Sequence, residues 1–361
     1  MEHRVVSGGV VELDNAHAIM AVLLTSLAAG YWSTIVYSPL KSERVDLRPL
    51  PKVGPISWWH KLAGVTSSDT RRGSGVTIGV IDAGLQLCAD DPSLSHVQKL
   101  GDQKQYGVPA DGLLPEASHG NAVTSLVFSR TVGSDGFQGL APGAQGFFLS
   151  ARLAASPIKV GLNPGMVANG IRELASKRDC DIISISAGDC SKPTTVVHDA
   201  VLDARDVGTL CFFASGNRGG APLYPACYPE AISVAAMGRR GFAPHETVEA
   251  RDDFQSLVNI GAEHYLWDGS ATGANVKFIA GGSNTIWDYG GHAARAVSGT
   301  SFAAPVAAAT AAVILAGTSK LWRSLPRSAR RWDKMYEILV SNSRDVGLES
   351  EVVRHGLLTV P

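Results

Sequence analysis

The sequence predicts an α/β fold: a mainly parallel central sheet with helices on both faces. Three observations carry that expectation. Several runs are continuously apolar and end in a small or polar residue, as in Val76-Thr-Ile-Gly-Val-Ile-Asp82-Ala-Gly84. Such runs are strands buried on both faces, the usual condition of a parallel sheet. Helix-spaced segments separate these runs, the order that βαβ units require. Third, residues 306–316 are small or apolar all round, which marks a helix buried on every side.

Taken in order, residues 76–84 read as a strand and 119–128 as a helix with His119 at its mouth. Residues 147–153 read as a strand, 164–177 as a helix and 181–188 as a strand ending in small residues. A helix over 194–207 follows, then strands over 209–217 and 232–237. Asp82, Ser186 and Asn217 all fall at carboxyl ends of strands, where open α/β sheets gather functional groups. Near the end, Val297-Ser-Gly-Thr-Ser301-Phe-Ala-Ala-Pro305 delivers a serine to a helix start through a glycine turn. Pro305 is expected near the first turn, where a missing N–H costs least.

Upstream of this pattern the chain reads differently. Residues 5–13 and 31–37 look like strands and 16–29 like a helix, while 41–55, with four prolines in or beside it, reads as a linker. Residues 16–38 are long enough to span a bilayer, but their second half is β-branched and aromatic, so a soluble helix–strand unit is favoured over membrane association. No basic n-region or A-x-A-like site marks a signal peptide. The Lys/Arg excess follows the stretch, so either reading leaves the bulk of the chain in the cytoplasm. The expected organisation is an N-terminal extension over 1–55 and one large domain over 56–361.

Composition narrows the functional classes. The 361 residues are 45% hydrophobic and 18% charged, with a formal net charge of −1. That is ample for a sizeable core, and the charge gives no pull toward nucleic acid, which is excluded as a partner class. Five cysteines without a C-x-x-C read as free thiols in a reducing compartment. His245-Glu-Thr-Val-Glu249 begins like a zincin motif but lacks its second histidine, so no metal site is assigned.

Acyl transfer by serine needs a nucleophile, a base, a carboxylate to orient the base, and donors for an oxyanion. Asp82, His119, Asn217 and Ser301 supply that set, each within two residues of a glycine. The motifs around them resemble those of the subtilisin-like serine proteases, the subtilases. The resemblance rests on Val80-Ile-Asp82-Ala-Gly84, Ser118-His119-Gly-Asn-Ala-Val123 and, most specifically, Ser298-Gly-Thr-Ser301-Phe-Ala-Ala-Pro305. Gly139-Leu-Ala-Pro-Gly-Ala144, Ala214-Ser-Gly-Asn217 and the final stretch 355–360 add to it. It covers about Trp58 to Pro361.

The resemblance implies a subtilisin-like three-layer sandwich and a serine endopeptidase acting on polypeptide. Ser301 is then the nucleophile, His119 the base, Asp82 its orienting partner, and Asn217 an oxyanion-hole donor. Ser186, Ala187 and Gly188 match the strand that pairs with substrate backbone, and Arg218 and Leu223 fall at the rim and base of the first specificity pocket. No cofactor is required; calcium sites are common in the family, but no loop here can be assigned one. The chain departs from the family pattern at Ala83, where Thr or Ser is usual, and at Asn121-Ala122, where Thr-His is usual. By position, residues 1–55 match a shortened prodomain or a plain structural extension. A catalytically silent, peptide-binding subtilase fold is the alternative function, and an esterase a third; a G-x-S-x-G hydrolase is excluded by the Gly-Thr-Ser-Phe-Ala context.

Overall fold

The computed structural model describes residues 44–50, 54–85, 92–100, 115–130, 138–151, 162–186, 192–242, 258–283, 285–289 and 293–361. The elements expected within residues 5–37 lie outside this set, as do Ala187 and Gly188.

The described residues open with strand β1 (Arg44–Leu50) and a short helix α1 (Trp58–Leu62). Then come β2 (Thr77–Asp82), β3 (Val97–Leu100), α2 (Pro115–Phe128), β4 (Gln145–Ser150) and α3 (Pro164–Arg172). Next are β5 (Ile182–Ile185), α4 (Thr195–Asp206), β6 (Leu210–Ala214) and β7 (Ile232–Arg239). Short strands β8 (Asn259–Ile260) and β9 (His264–Leu266) lead into β10 (Val276–Gly281), then β11 (Thr285–Tyr289) and β12 (Ala293–Ser298). Helices α5 (Thr300–Gly317) and α6 (Ala329–Ser341) and strands β13 (Ser343–Arg344) and β14 (Leu357–Leu358) complete it.

The main sheet runs β13-β14-β10-β7-β6-β5-β2-β4-β3, with β9 on β7 and β8 on β9. From β3 to β10 every neighbouring pair along that path is parallel; Ile78 of β2 sits between Gly146 of β4 and Ile182 of β5. Side chains alternate between two cores, as the two-residue period of a strand dictates. Ile78 and Val80 join α2, α5 and α6 in one core, while Ile81, Ile183 and Phe213 join α3 and α4 in the other. The result is three layers. Gly79 lets a helix approach closely, since a Cβ there would lie 2.7 Å from Leu174.

Local chemistry explains the helix ends. Asn163 caps α3 by accepting from the Met166 N–H, and Pro164 takes the first position, where no N–H is needed. The helix expected to reach residue 177 ends as a π-helical turn, Glu173–Lys177. Helix α5 is long and apolar enough to cross a membrane, yet it is the buried centre of the first core. Its alanines let it pack against β6, β7 and β10 with little side-chain bulk between.

A second sheet, β1-β12-β11, is antiparallel. It corrects the reading of residues 41–55 as a linker. Arg44–Leu50 is a strand because β12 offers it a partner far away in sequence, which local composition cannot reveal.

Candidate active site

Asp82 is the last residue of β2, and its side chain is 1% exposed. Its Oδ1 accepts from the Ala83 N–H at 2.7 Å and lies 2.8 Å from His119 Nδ1. An ionised carboxylate only accepts, so Nδ1 carries the proton and Nε2 keeps its lone pair as a base. Asp82 Oδ2 is buried without a hydrogen-bond partner among the described residues. It sits beside Ala83, one of the positions where the sequence leaves the family pattern.

His119 lies one turn inside α2 rather than at its mouth, because the helix begins at Pro115. The next residue explains how the helix comes so near β2. A Cβ at Gly120 would sit 1.8 Å from the Gly84 carbonyl oxygen, so glycine is required there. The His119 ring is 16% exposed and packs 5.5 Å from the Phe302 ring, centre to centre.

Beyond β6, Ser215 Oγ donates to the Ala271 carbonyl, and the Gly216 N–H donates to Thr300 Oγ1 at 3.1 Å. Since that hydroxyl accepts from Gly216, its own hydrogen goes to Asn217 Oδ1 at 2.7 Å. The Thr300 N–H donates to the same Oδ1 at 2.8 Å. Two donors identify this atom as the amide oxygen, so the Asn217 NH₂ occupies the other end of the side chain. The amide is held by its carbonyl and presents its donors.

Ser301 is the second residue of α5 and is buried. Among the first N–H groups of this helix, that of Thr300 goes to Asn217, and those of Phe302 and Ala303 go to the Gly299 carbonyl. The Ser301 N–H has no hydrogen-bond partner among the described residues, and it sits at the positive end of an 18-residue helix. Its neighbours fix its place: Thr300 is bound to Asn217, and Phe302 lies against His119. In sequence, Ser301 thus stands between the residue bound to Asn217 and the residue that packs on the imidazole.

Pro305 is the sixth residue of α5, later than expected, and its missing N–H does have a consequence. The carbonyl four residues back, that of Ser301, loses its helical partner; Ser186 Oγ donates to it instead, at 2.7 Å. Ser186, expected only as a substrate-pairing backbone position, thus also anchors the turn that carries Ser301. Arg218 follows Asn217 and is exposed, and Leu223 is half-buried farther along the same loop. The loop is backed by residues 269–272: Gly219 donates to the Gly269 carbonyl and Thr272 to that of Gly220, each at 2.8 Å.

The sequence reading passed over three contributors: Thr300, which orients Asn217; Phe302, which borders His119; and the Ser186 hydroxyl. A proline four residues after Ser301 is a readable signal for the last, since it orphans one helical carbonyl.

A three-layer α/β fold with aspartate, histidine, asparagine and serine gathered at one end of its sheet has the form of a serine-protease scaffold. The chain belongs to the subtilase family, whose family model matches residues 73–351. It is 28% identical over 245 residues to subtilisin Savinase of Lederbergia lenta, a match covering 67% of this chain and 77% of that protein. It is 26% identical over 259 residues to the minor extracellular protease Epr of Bacillus subtilis, again 67% of this chain but only 32% of Epr. Among solved structures, a mutant of the protease domain of PatA superposes with a TM-score of 0.60 at 20% identity, covering 81% of this chain and 95% of that one. Sphericase superposes with a TM-score of 0.59 at 22% identity, covering 82% and 91%.

Proposed function

We propose that this chain is a serine endopeptidase that hydrolyses polypeptides through Asp82, His119 and Ser301. Membership of a protease family supports the substrate class. One observation carries the assignment of roles: Ser301 lies between Thr300, bound to Asn217, and Phe302, packed on His119, whose Nδ1 is held by Asp82.

In this mechanism Ser301 Oγ attacks the scissile carbonyl carbon while His119 Nε2 takes the hydroxyl proton. The carbonyl oxygen becomes an oxyanion and receives hydrogen bonds from the Asn217 NH₂ and the Ser301 N–H. Asp82 stabilises the imidazolium that forms and keeps the ring in the reactive tautomer. His119 then gives the proton to the departing amine, leaving an acyl-enzyme ester on Ser301. Water, deprotonated by His119, attacks that ester and regenerates the serine.

The proposed acyl-side preference follows from the resemblance, which puts Arg218 at the rim and Leu223 at the base of the pocket; Arg218 is exposed and Leu223 half-buried. A leucine there leaves little depth, and an exposed guanidinium favours a carboxylate, so small and acidic residues are preferred at the position before the cleaved bond. A peptide library scanned at that position checks this; selection of large aromatic residues contradicts it. For the mechanism itself, hydrolysis of unfolded protein is compared among wild type, Ser301→Ala and His119→Ala. Hydrolysis that survives Ser301→Ala in purified protein removes the proposal.

A further inference from the structure

Lysine is seldom buried without a partner, because taking an ammonium out of water is costly. Lys277 is such a case. It is the second residue of β10, at the amino end of the parallel sheet, and is 6% exposed. Among the described residues its ammonium makes no hydrogen bond and no ion pair. The one acid that acts on it there is Glu230, whose carboxylate lies 3.2 Å from His198 Nε2 instead.

A second cation runs alongside. The Arg354 N–H donates to the Val276 carbonyl at 2.8 Å, and the His355 N–H to that of Lys277 at 2.9 Å. These bonds continue the parallel pairing in which Ile279 of β10 lies opposite Leu357 of β14. Arg354 is exposed, and its guanidinium also lacks a hydrogen bond or ion pair among the described residues. Burial, with Arg354 adding repulsion, lowers the Lys277 pKa. The wall beside the two cations is aromatic. The Phe278 and Tyr336 rings lie 5.6 Å and 5.9 Å from the His355 ring, and the Tyr336 hydroxyl is 3.0 Å from His355 Nε2. Burial, with both cations nearby, lowers the His355 pKa, so this ring is neutral at neutral pH.

We propose that Lys277 and Arg354, walled by His355, form a binding site for a phosphate group at the end of the sheet opposite Asp82 and Ser186. Three considerations select that ligand. Two neighbouring cations with no carboxylate bound to either call for a dianion, which phosphate supplies and a single carboxylate does not. A guanidinium fork and an ammonium point charge together match the spread of phosphate oxygens. Lys277 is also recessed, and water screens a buried charge pair much less than an exposed one. Binding there would join β10 to residues 354–358, so phosphate should hold that segment on the sheet.

The competing account is that Lys277 threads its ammonium out to water and takes no ligand. Thermal melts and titration calorimetry on the full-length chain separate the two. Inorganic phosphate is compared with chloride at equal ionic strength and mildly alkaline pH, where phosphate is a dianion. Wild type should gain at least about 3 °C in Tm at saturating phosphate. Lys277→Met removes an unpaired buried charge, so it should melt at or above wild type in chloride and gain less than about 1 °C from phosphate. Arg354→Gln changes an exposed residue, so it should melt like wild type in chloride and bind phosphate at least about tenfold more weakly. Glycerol phosphate identifies the source of the group. Binding like that of inorganic phosphate assigns the site to phosphomonoesters, whereas its exclusion assigns the site to the free ion, and either supports the proposal.

Equal phosphate gains in wild type and both variants, the mark of a general salt effect, overturn it. So does a wild type that binds phosphate no more tightly than Arg354→Gln does. That second comparison decides alone if Lys277→Met does not fold.

Discussion

A buried carboxylate lies at each end of strand β2, Asp181 from just before β5 at its start and its own Asp82 at its finish, and the two are treated in opposite ways. At its start, the Thr77 N–H donates to Asp181 Oδ2 at 3.0 Å, and Asp181 Oδ1 receives the Arg331 guanidinium, with Arg327 nearby. At its finish, Asp82 has one backbone N–H and His119, and its second oxygen goes unpartnered among the described residues. The Asp181 end ties α6 to the sheet, and Arg327 adds bonds to the Ala175 and Cys180 carbonyls and to Thr209 Oγ1. Even so, burial holds the Asp181 carboxyl above its usual range despite the Thr77 N–H and the two arginines. A fully paired carboxylate fastens the fold at the amino end of the sheet. At the carboxyl end, a sparsely paired one aims an imidazole.

The contrast predicts that the two carboxylates fail differently. Asp82→Asn removes control of the His119 tautomer and should lower kcat by about 10⁴ with little change in unfolding free energy. Steady-state kinetics and denaturant melts on the same preparation check both halves. At the other end, Arg331→Met strips Asp181 of a close partner and should cost about 3–5 kcal/mol of stability, while kcat per folded molecule stays near wild type. Replacing Asp181 and Arg331 together by apolar residues of similar size should recover much of that loss. A double substitution as unstable as the single would show that the pair is worth more than its burial penalty.

Within the site, Asn217→Ala should raise the barrier by about 2.7–4 kcal/mol, seen in kcat more than in KM. Thr300→Val removes the hydroxyl that bridges Gly216 and Asn217, so a smaller fall in kcat is expected with the same pattern.

The most gradual effect concerns acid. His60 is fully buried, accepts from the Ser57 N–H at Nδ1 and lies 2.8 Å from the Gln138 carbonyl at Nε2, so it must be neutral. Burial, with Arg72 nearby, lowers its pKa from 6.5 to about 3. The unfolded chain therefore binds the extra proton first as pH falls. Stability supplied by neutral His60 is complete above about pH 6.5 and declines below it by at most about 1.4 kcal/mol per pH unit, until the folded pKa is reached. Urea melts between pH 7 and 4 should show a shallower acid loss in His60→Gln than in wild type.

Much of this was legible in the sequence for physical reasons. The strand over Thr77–Asp82 announces itself because a strand buried on both faces has no room for polar residues, and α5 because every side is packed. The Ser186–Ser301 bond was hidden by treating Pro305 as harmless, although its position in the helix frees one carbonyl. The Thr300 clasp on Asn217 joins residues 83 positions apart, and no local pattern encodes it. Strand β1 is hidden because Pro49, the prolines around the strand and its charges read as linker, and its strand character comes from β12.

The central claim is that Ser301 is an activated nucleophile, and intact mass spectrometry with a fluorophosphonate probe tests it most directly. The account predicts one probe adduct on the folded wild-type chain and none on Ser301→Ala. Folded wild-type protein that takes no label, or an adduct that persists in Ser301→Ala, would contradict it.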